Sequence, residues 1–214
     1  MKTFLISFYS DIENKTYYSN NANRLREECK SLDIQCSIQH KESLGSYRLN
    51  CLSKPQFILD KLLEIDQPLV WMDVDSRLHK SLQIFDQFRE SDTDMVVSTS
   101  NGQLSGMKAS PLYFGNTDNA KEFIGAWIKT TKDIIENDMG SFDHEPLFSL
   151  IPIFIKKKMD IKFIGPEYCM WPGYTNDETY ITMGLADSET KKENLRKMGL
   201  SEDLINIQSL GDVE

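Results

Sequence analysis

The chain has 214 residues, of which 40% are hydrophobic and 27% are charged. These values are ordinary for a domain that buries its own core, and they argue against a disordered chain or a membrane protein. The formal net charge is −9 at pH 7, which argues against a nucleic-acid-binding protein, because such a protein needs a basic face. An acidic chain also repels an anionic ligand unless a bound cation offsets the charge.

The sequence carries no pattern typical of secretion or membrane insertion. The apolar run at residues 4–9 is too short for a signal peptide, and acidic residues follow it at once. No segment approaches the roughly 20 apolar residues needed to cross a bilayer. The four cysteines form no CxxC pair, which favours reduced thiols over a disulfide framework. We therefore expect a cytoplasmic protein.

The first half of the chain predicts alternating strands and helices. Apolar or alternating runs predict three strands, at residues 2–9, 34–38 and 68–72. Between them, apolar residues recur at helical spacing over residues 22–32 and 58–63. Asn20 or Asn21 is placed to cap the first helix, and Ser53, followed by Pro55, to cap the second. The third strand runs directly into Asp73.

The second half continues this alternation. Strands are predicted at residues 95–97, 112–114 and 161–164, and residues 180–183 look extended. Helices are predicted over residues 120–128 and 147–151 and from Ser188 onward, the first of them capped by Asn116 or Thr117. This pattern predicts one α/β domain over residues 1–214, with a mostly parallel central sheet flanked by helices. Such a domain could also be a module of a longer protein.

Two Asp-x-Asp pairs occur, and their surroundings differ. Asp73 and Asp75 follow a buried strand, and open α/β sheets bind ligands at the carboxyl ends of their strands. Carboxylates at that position can hold Mg²⁺ or Mn²⁺, whose remaining coordination positions go to phosphate and water. Asp92 and Asp94 precede a strand and follow polar residues, which is typical of a solvated turn. The sequence therefore predicts a metal site at the first pair only.

The order and spacing of these segments resemble the glycosyltransferases of the GT-A fold, the nucleotide-diphospho-sugar transferases. The matching segments cover most of the chain: Ser7-Phe8-Tyr9, the helix with Tyr17, Ala22 and Leu25, Lys54-Pro55, Trp71-Met72-Asp73-Val74-Asp75, Tyr113 to Thr117, Trp127, and Asp143 to Leu147. The chain is also similar to small glycosyltransferase domains of large algal (chlorella) viruses. A viral source would place the protein in the cytoplasm of the host cell.

The resemblance implies roles for particular residues. Contacts to the nucleoside fall on Ser7, Phe8 and Tyr9, and a basic contact to the donor falls on Arg48 or Lys54. Contacts to the ribose and to a Mn²⁺ or Mg²⁺ ion fall on Asp73, Val74 and Asp75, with Asp75 as the direct ligand. The catalytic carboxylate that faces the sugar is implied to be Asp143 or Glu145.

One position departs from the family pattern. Relatives often place a His-Gly pair near the C-terminus, where the histidine completes the metal site, but here the matching pair is Met183-Gly184. A thioether is a soft ligand that suits Mn²⁺ better than Mg²⁺. Met183 is therefore expected as a weak third ligand, or else water and another residue fill that position.

Together these residues predict transfer of a hexose from a nucleotide-sugar, with a UDP-sugar as the working donor, to a glycan or another hydroxyl acceptor. A cation would stabilise the charge on the leaving diphosphate. A carboxylate would stabilise the oxocarbenium-like centre or accept the proton of the acceptor. Whether the configuration is retained or inverted stays open at this stage.

Two alternative functions remain. A haloacid-dehalogenase-type phosphatase also carries Asp-x-Asp after an apolar strand, but the pair normally lies on the first strand. That pattern also has Thr or Val where this chain has Arg77. The second alternative is a non-catalytic nucleotide- or carbohydrate-binding domain, which Met183 at the expected histidine position favours.

Overall fold

A computed structural model describes residues 3–11 and 16–185, together with residues 193, 196, 197 and 199. The helices within this part are α1 (Tyr17–Ser31), α2 (Tyr47–Leu52), α3 (Lys54–Ile65), α4 (Gln83–Glu90), α5 (Asp118–Glu136) and α6 (His144–Lys156). The strands within it are β1 (Phe4–Tyr9), β2 (Gln35–His40), β3 (Leu69–Trp71), β4 (Arg77–Leu78), β5 (Met95–Thr99), β6 (Met107–Phe114), β7 (Ile161–Ile164) and β8 (Ile181–Thr182). The helix predicted from Ser188 lies outside the described residues.

Six of these strands form the central sheet, in the order β2-β1-β3-β6-β5-β7, while β4 and β8 form a separate antiparallel ribbon. The pairs β1–β2, β1–β3 and β5–β7 are parallel, and β6 is antiparallel to both of its neighbours. The predicted α/β fold with a mostly parallel sheet flanked by helices is confirmed. The reversal of β6 was not predicted. It follows from the short connection at residues 100–106, because a parallel neighbour needs a crossover of about a dozen residues or more.

Both faces of the sheet are buried. In β3, Leu69 and Trp71 pack into a cluster with α3, α5 and α6, while Val70 packs into a second cluster with α1 and α4 on the other face. These strand residues are at most 2% exposed. The unbroken apolar run before Asp73 is thus explained, because a strand covered by helices on both sides has no solvent face to make polar.

The first predicted helix cap is wrong. Helix α1 begins at Tyr17, so Asn20 and Asn21 lie inside it. Asn21 is fully buried, and its Nδ2 donates a hydrogen bond to the Tyr17 carbonyl at 2.8 Å. The buried Tyr17 extends the apolar stripe by one more turn, and this tertiary packing outweighs the capping preference of asparagine.

The other two predicted caps have opposite outcomes. Ser53 does precede α3, but its hydroxyl donates to the Asn50 carbonyl at 2.8 Å and caps nothing. The Ser53 hydroxyl bonds to Asn50 because helix α2 ends directly before Ser53. Thr117 is confirmed as the cap of α5, since its Oγ1 accepts a hydrogen bond from the Ala120 amide at 3.1 Å.

The second Asp-x-Asp pair is only partly a solvated turn. Asp92 is exposed, whereas Asp94 is 5% exposed, so the prediction is wrong for Asp94. The Asp94 carboxylate accepts hydrogen bonds from Thr117 Oγ1 at 2.5 Å, Asn119 Nδ2 at 3.1 Å and the Asp160 amide at 2.8 Å. Asp94 therefore ties the starts of α5 and β7 to the start of β5.

The state of the thiols and the length of the helices follow directly from the described residues. The four cysteines are free thiols, and Cys29 and Cys169 are buried. None of the helices in the described part of the chain combines the length and the apolar character needed to span a bilayer.

Candidate functional site

The site lies at the carboxyl edge of the central sheet. The parallel strands β1 and β3 end there, and the antiparallel β6 begins there. The Asp73 amide, just beyond β3, donates a hydrogen bond to Ser110 Oγ in β6 at 2.9 Å. This edge is where open α/β sheets bind their ligands.

A cavity of about 490 Å³ opens at this edge, a volume in the range of small-molecule sites. Most of the residues predicted for the site line it: Phe8, Tyr9, Lys54, Asp73, Val74, Asp75, Asp143 and Met183. Residues 74 and 183 are 109 positions apart in the sequence, so the fold brings together segments that only the resemblance had connected.

Three predicted site residues do not line the cavity. Ser7 is fully buried within β1. Arg48 points to the surface, where it contacts Asp138 at 3.1 Å and the Met139 carbonyl. Glu145 accepts a hydrogen bond from the Phe142 amide at 2.5 Å, so its carboxylate satisfies the backbone at the start of α6. Of the two predicted catalytic carboxylates, the fold brings only Asp143 to the cavity.

Lys54 lies at the centre of a buried ion cluster. Its side chain is 7% exposed, and Nζ lies 3.0 Å from Asp73 Oδ1 and 2.8 Å from Asp143 Oδ2. Burial alone lowers the pKa of a lysine, but Asp143 and Asp73 raise the pKa of Lys54 above its usual range. Lys54 therefore stays charged. It connects Asp73, a candidate metal ligand, to Asp143, the candidate catalytic carboxylate. The sequence had assigned it only a contact to the donor.

Two side chains, Trp71 and Lys54, fix the orientation of Asp73. Trp71 Nε1 donates a hydrogen bond to Asp73 Oδ1 at 3.0 Å, and the same oxygen contacts Lys54. Both contacts use Oδ1 and neither uses Oδ2. The side chain is 39% exposed, so the carboxylate also faces the cavity.

Asp75 is held between α1 and the segment after β8. It is 8% exposed, and an added Cβ at Gly184 would lie 2.0 to 2.2 Å from the atoms of its carboxyl group. On the other side, Arg24 Nη2 donates to the carbonyls of Asp75 at 3.2 Å and Ser76 at 2.9 Å. Arg24 in turn pairs with Glu28 at 3.3 Å, so α1 fixes the backbone that carries Asp75.

The residues present fit a hard divalent cation that is shared with a ligand. Asp73, Asp75 and Met183 line one cavity, and the two aspartates carry carboxylate oxygens of the kind that such a cation prefers. The described residues contain no group of three or more His, Cys, Asp and Glu side chains that could hold a metal ion alone. One or two carboxylates completed by phosphate oxygens and water is the usual arrangement for Mg²⁺ bound with a nucleotide.

The α1 side of the cavity is aromatic and carries a buried hydroxyl. Tyr9 and Tyr18 line it, next to Ser10, whereas Phe8 lines the cavity from the α3 side, against Phe57 and Trp71. Ser10 is 6% exposed, and within the described part of the chain its Oγ has no hydrogen-bond partner. A buried hydroxyl without a partner costs free energy unless a ligand or water satisfies it. Ser10 was not predicted, although it directly follows the first strand.

Several other residues line the cavity as well. Tyr47, Lys108, Ser110 and Phe142 were not predicted for the site, and Tyr18 and Trp171 lie in the same lining. Lys108 and Ser110 reach the cavity because β6 is reversed, so that its first residues lie where the other strands end. Burial and the nearby Cys51 and Asp75 raise the pKa of the Tyr47 hydroxyl above its ordinary range.

No protein-family profile matches the chain, and no curated protein sequence matches it. The structure is similar to that of a glycosyltransferase involved in the glycosylation of the major capsid of the chlorella virus PBCV-1. The TM-score is 0.65 at 10% sequence identity, over 92% of this chain and 100% of that one. At this identity the likeness establishes a shared fold. The chain thus has the α/β fold of a viral glycosyltransferase, as the sequence resemblance had implied.

Proposed function

We propose that the chain is a metal-dependent glycosyltransferase that moves a hexose from a UDP-sugar to a hydroxyl group of a carbohydrate. The observation that carries this proposal is the buried cluster of Lys54, Asp73 and Asp143, which lies beside Asp75 in one cavity. The shared fold with a glycosyltransferase supports it. Such a cluster supplies the two features that the reaction needs, namely oxygen ligands for a cation and a fixed carboxylate near the reacting carbon.

The donor fits the cavity with its nucleoside against α1. Tyr9 and Tyr18 offer aromatic faces to the base, Phe8 offers one from the α3 side, and Ser10 Oγ offers a hydrogen bond. Asp73 and Asp75 would hold Mn²⁺ or Mg²⁺ under the diphosphate. When bound, the cation supplies Lewis-acid stabilisation of the negative charge on the leaving diphosphate. Lys108 lines the same cavity and adds a second positive charge for the phosphates.

Asp143 is the catalytic carboxylate in this proposal. It is 4% exposed, it lines the cavity, and Lys54 fixes its orientation at 2.8 Å. From there it would stabilise positive charge on the sugar or accept the proton of the acceptor hydroxyl. Glu145 has no such role, because its carboxylate is bonded to the backbone outside the cavity.

The first test is calorimetric titration of the protein with UDP, in Mn²⁺ and then in EDTA. The matched variants are Asp75→Asn and Asp92→Asn, which remove the same charge from the two Asp-x-Asp pairs. We expect wild type and Asp92→Asn to bind UDP only with Mn²⁺, and Asp75→Asn to lose this binding. Absence of UDP binding to the wild type would overturn the proposed donor.

Hydrolysis of UDP-sugars then separates an enzyme from a binding domain. We expect slow, Mn²⁺-dependent hydrolysis by the wild type. Removal of a catalytic carboxylate should lower kcat by about 100-fold or more in Asp143→Asn, with UDP affinity nearly unchanged. UDP binding without any hydrolysis would favour the non-catalytic alternative. Turnover of p-nitrophenyl phosphate in place of the UDP-sugars would favour the phosphatase.

A further inference from the structure

Four aromatic side chains form a row along one wall of the cavity. Tyr47, Phe142, His144 and Phe148, called the aromatic strip below, all line it. Successive ring centroids are separated by 6.1 Å, 6.1 Å and 6.0 Å. The ring planes of Phe142 and His144 are nearly parallel, at 21°. The strip thus presents one continuous series of rings.

The aromatic strip is not simply a part of the hydrophobic core. Tyr47 is 42% exposed, the side chain of His144 is 46% exposed, and Phe142 and Phe148 are half-buried. Exposed aromatic area costs free energy in water, roughly 25 cal/mol for each Å² that a ligand would cover. A row of such rings at the wall of a deep cavity therefore indicates a ligand that covers them.

The α6 part of the strip lies on the other face of the sheet from Tyr9 and Tyr18, two of the proposed nucleoside contacts. Tyr18 belongs to α1, which packs on one face of the sheet, whereas α6 packs on the other face together with α3 and α5. Asp143 lies in sequence between Phe142 and His144, the two middle rings, so the proposed catalytic carboxylate flanks the middle of the strip. A molecule bound along it would meet the donor at Asp143.

We propose that the aromatic strip is the acceptor subsite and that it binds a pyranose ring through the apolar face of that ring. This inference rests on the proposed function. A pyranose has one face of C–H groups, which packs on aromatic rings, and an edge of hydroxyl groups, which needs polar partners. The strip offers the rings, and Asp143 and the His144 imidazole offer the polar partners at its edge. An apolar peptide segment would leave those polar groups without partners.

The matched variants separate a sugar contact from a general change in the surface. Phe142→Ala removes a ring of the strip, and Phe142→Tyr keeps it. Phe163→Ala removes a ring that is 38% exposed on β7 and does not line the cavity. The probes are methyl α- and β-hexopyranosides, whose binding is followed by saturation-transfer NMR with UDP and Mn²⁺ present. Thermal melts check that each variant is folded.

We expect the wild type to saturate the C–H protons of one face of a methyl hexopyranoside. Loss of one aromatic contact should raise the Kd of the sugar about tenfold in Phe142→Ala. Phe142→Tyr and Phe163→Ala should bind it like the wild type. The affinity for UDP should stay within about twofold in Phe142→Ala, Phe142→Tyr and Phe163→Ala, because neither Phe142 nor Phe163 is one of the proposed nucleoside contacts. If Phe142→Ala does not fold, the test uses Phe148→Tyr and Tyr47→Phe, which keep the rings of the strip. Both variants should retain sugar binding. Loss of sugar binding in both would overturn the inference.

Other results overturn the inference without touching the proposed function. UDP binding by the wild type with no saturation of any methyl hexopyranoside would reject the subsite alone. Equal sugar binding by Phe142→Ala and the wild type would reject it as well. A Phe142→Ala variant that is folded but loses UDP and sugar together would show that the strip belongs to the donor site. Failure of the wild type to bind UDP would instead overturn the proposed function.

Discussion

Gly184 shapes the candidate metal site although it has no side chain. An added Cβ would lie 2.0 to 2.2 Å from the carboxyl atoms of Asp75, a separation at which one of the groups must move. Arg24 donates a hydrogen bond to the Asp75 carbonyl, so the backbone that carries the side chain is held on the α1 side. Glycine at position 184 therefore leaves room for the Asp75 carboxylate, and this holds with methionine or any other residue at position 183.

We predict that Gly184→Ala weakens Mn²⁺-dependent UDP binding by about tenfold or more, because a displaced ligand costs roughly 1.4 kcal/mol or more of binding free energy. Calorimetry gives the affinity and a thermal melt gives the stability. Gly125→Ala is the matched control, since nothing lies within 4 Å of the new Cβ in α5. Equal affinities in the two variants would contradict this view of Gly184.

A pair of thiols lies far from the cavity lining. Cys29 in α1 hydrogen-bonds to Cys36 in β2, and this bond together with the nearby Arg26 lowers the pKa of Cys36 to about 7 despite partial burial. The same contact, together with burial, raises the pKa of Cys29. Cys36 is therefore a thiolate above about pH 7, and it becomes the protonated thiol as the pH falls below that value.

We predict that iodoacetamide alkylates Cys36 faster than an ordinary thiol at pH 7, with a rate that falls as the pH is lowered through 7. Cys29→Ala removes the donor, so the pKa of Cys36 should rise and alkylation at pH 7 should slow several-fold. Cys29→Ser keeps a donor and should retain the fast rate. Peptide mass spectrometry measures the rates. A rate that is unchanged in Cys29→Ala would contradict the role of the hydrogen bond.

At the scale of elements, α1 supports the loop that carries Asp75. Arg24 donates to two carbonyls of that loop, and Glu28 accepts a hydrogen bond from the Leu78 amide at 2.8 Å. Glu28 also pairs with Arg77 at 3.5 Å. Two residues one helical turn apart thus fix both ends of the turn from Asp75 to Leu78.

We predict that Arg24→Gln weakens Mn²⁺-dependent UDP binding by about tenfold, because hydrogen bonds from a charged group are worth roughly 1.5–3 kcal/mol. Thr117→Ala controls for stability, since loss of a helix cap costs about 1 kcal/mol at a position that does not line the cavity. Arg24→Lys should restore part of the affinity. The prediction fails if the two destabilised variants, Arg24→Gln and Thr117→Ala, bind UDP equally well.

Elements with a clear apolar pattern were predictable, and the elements without one were not. The strands of the central sheet and helices α1, α3, α5 and α6 follow from apolar runs or helical spacing. Helix α2 has six residues, too few to display a period, and α4 buries only Phe85. The direction of β6 depends on its connection and not on its composition. For these reasons Tyr47, Lys108 and Ser110 were missed at the site.

At the scale of the whole molecule, the cavity draws on segments from Phe8 to Gly184. The sequence located the Asp73–Asp75 pair because a buried strand precedes it. The partnership of Lys54 with Asp73 and Asp143 has no local signature, since those residues are 19 and 89 positions away from Lys54 along the chain. Only the packing of α3 and α6 on one face of the sheet joins them.

A ligand that contacts so many segments should stabilise the whole domain. We predict that UDP with Mn²⁺ at about 100 times Kd adds roughly 2.7 kcal/mol to the free energy of unfolding. For a domain of this size that raises Tm by about 5–10 °C. EDTA should abolish the shift, and so should Asp75→Asn, while Asp92→Asn should keep it. Scanning calorimetry provides the measurement, and a shift that persists in EDTA would contradict the role of the cation.

The reversed strand β6 also divides the central sheet by sequence. Strands β2, β1 and β3 come from residues before Asp73, and β6, β5 and β7 come from residues after Asp94. The two halves of the sheet meet only along β3 and β6, through the pairs Leu69–Phe114, Val70–Tyr113 and Trp71–Leu112. A chain cut at the exposed turn between Ser91 and Asp92 would thus give two fragments with three neighbouring strands each. Neither fragment would hold Lys54 and Asp143 together, so the protein lends itself to fragment complementation, with nucleotide binding as the signal that the two pieces have reassembled.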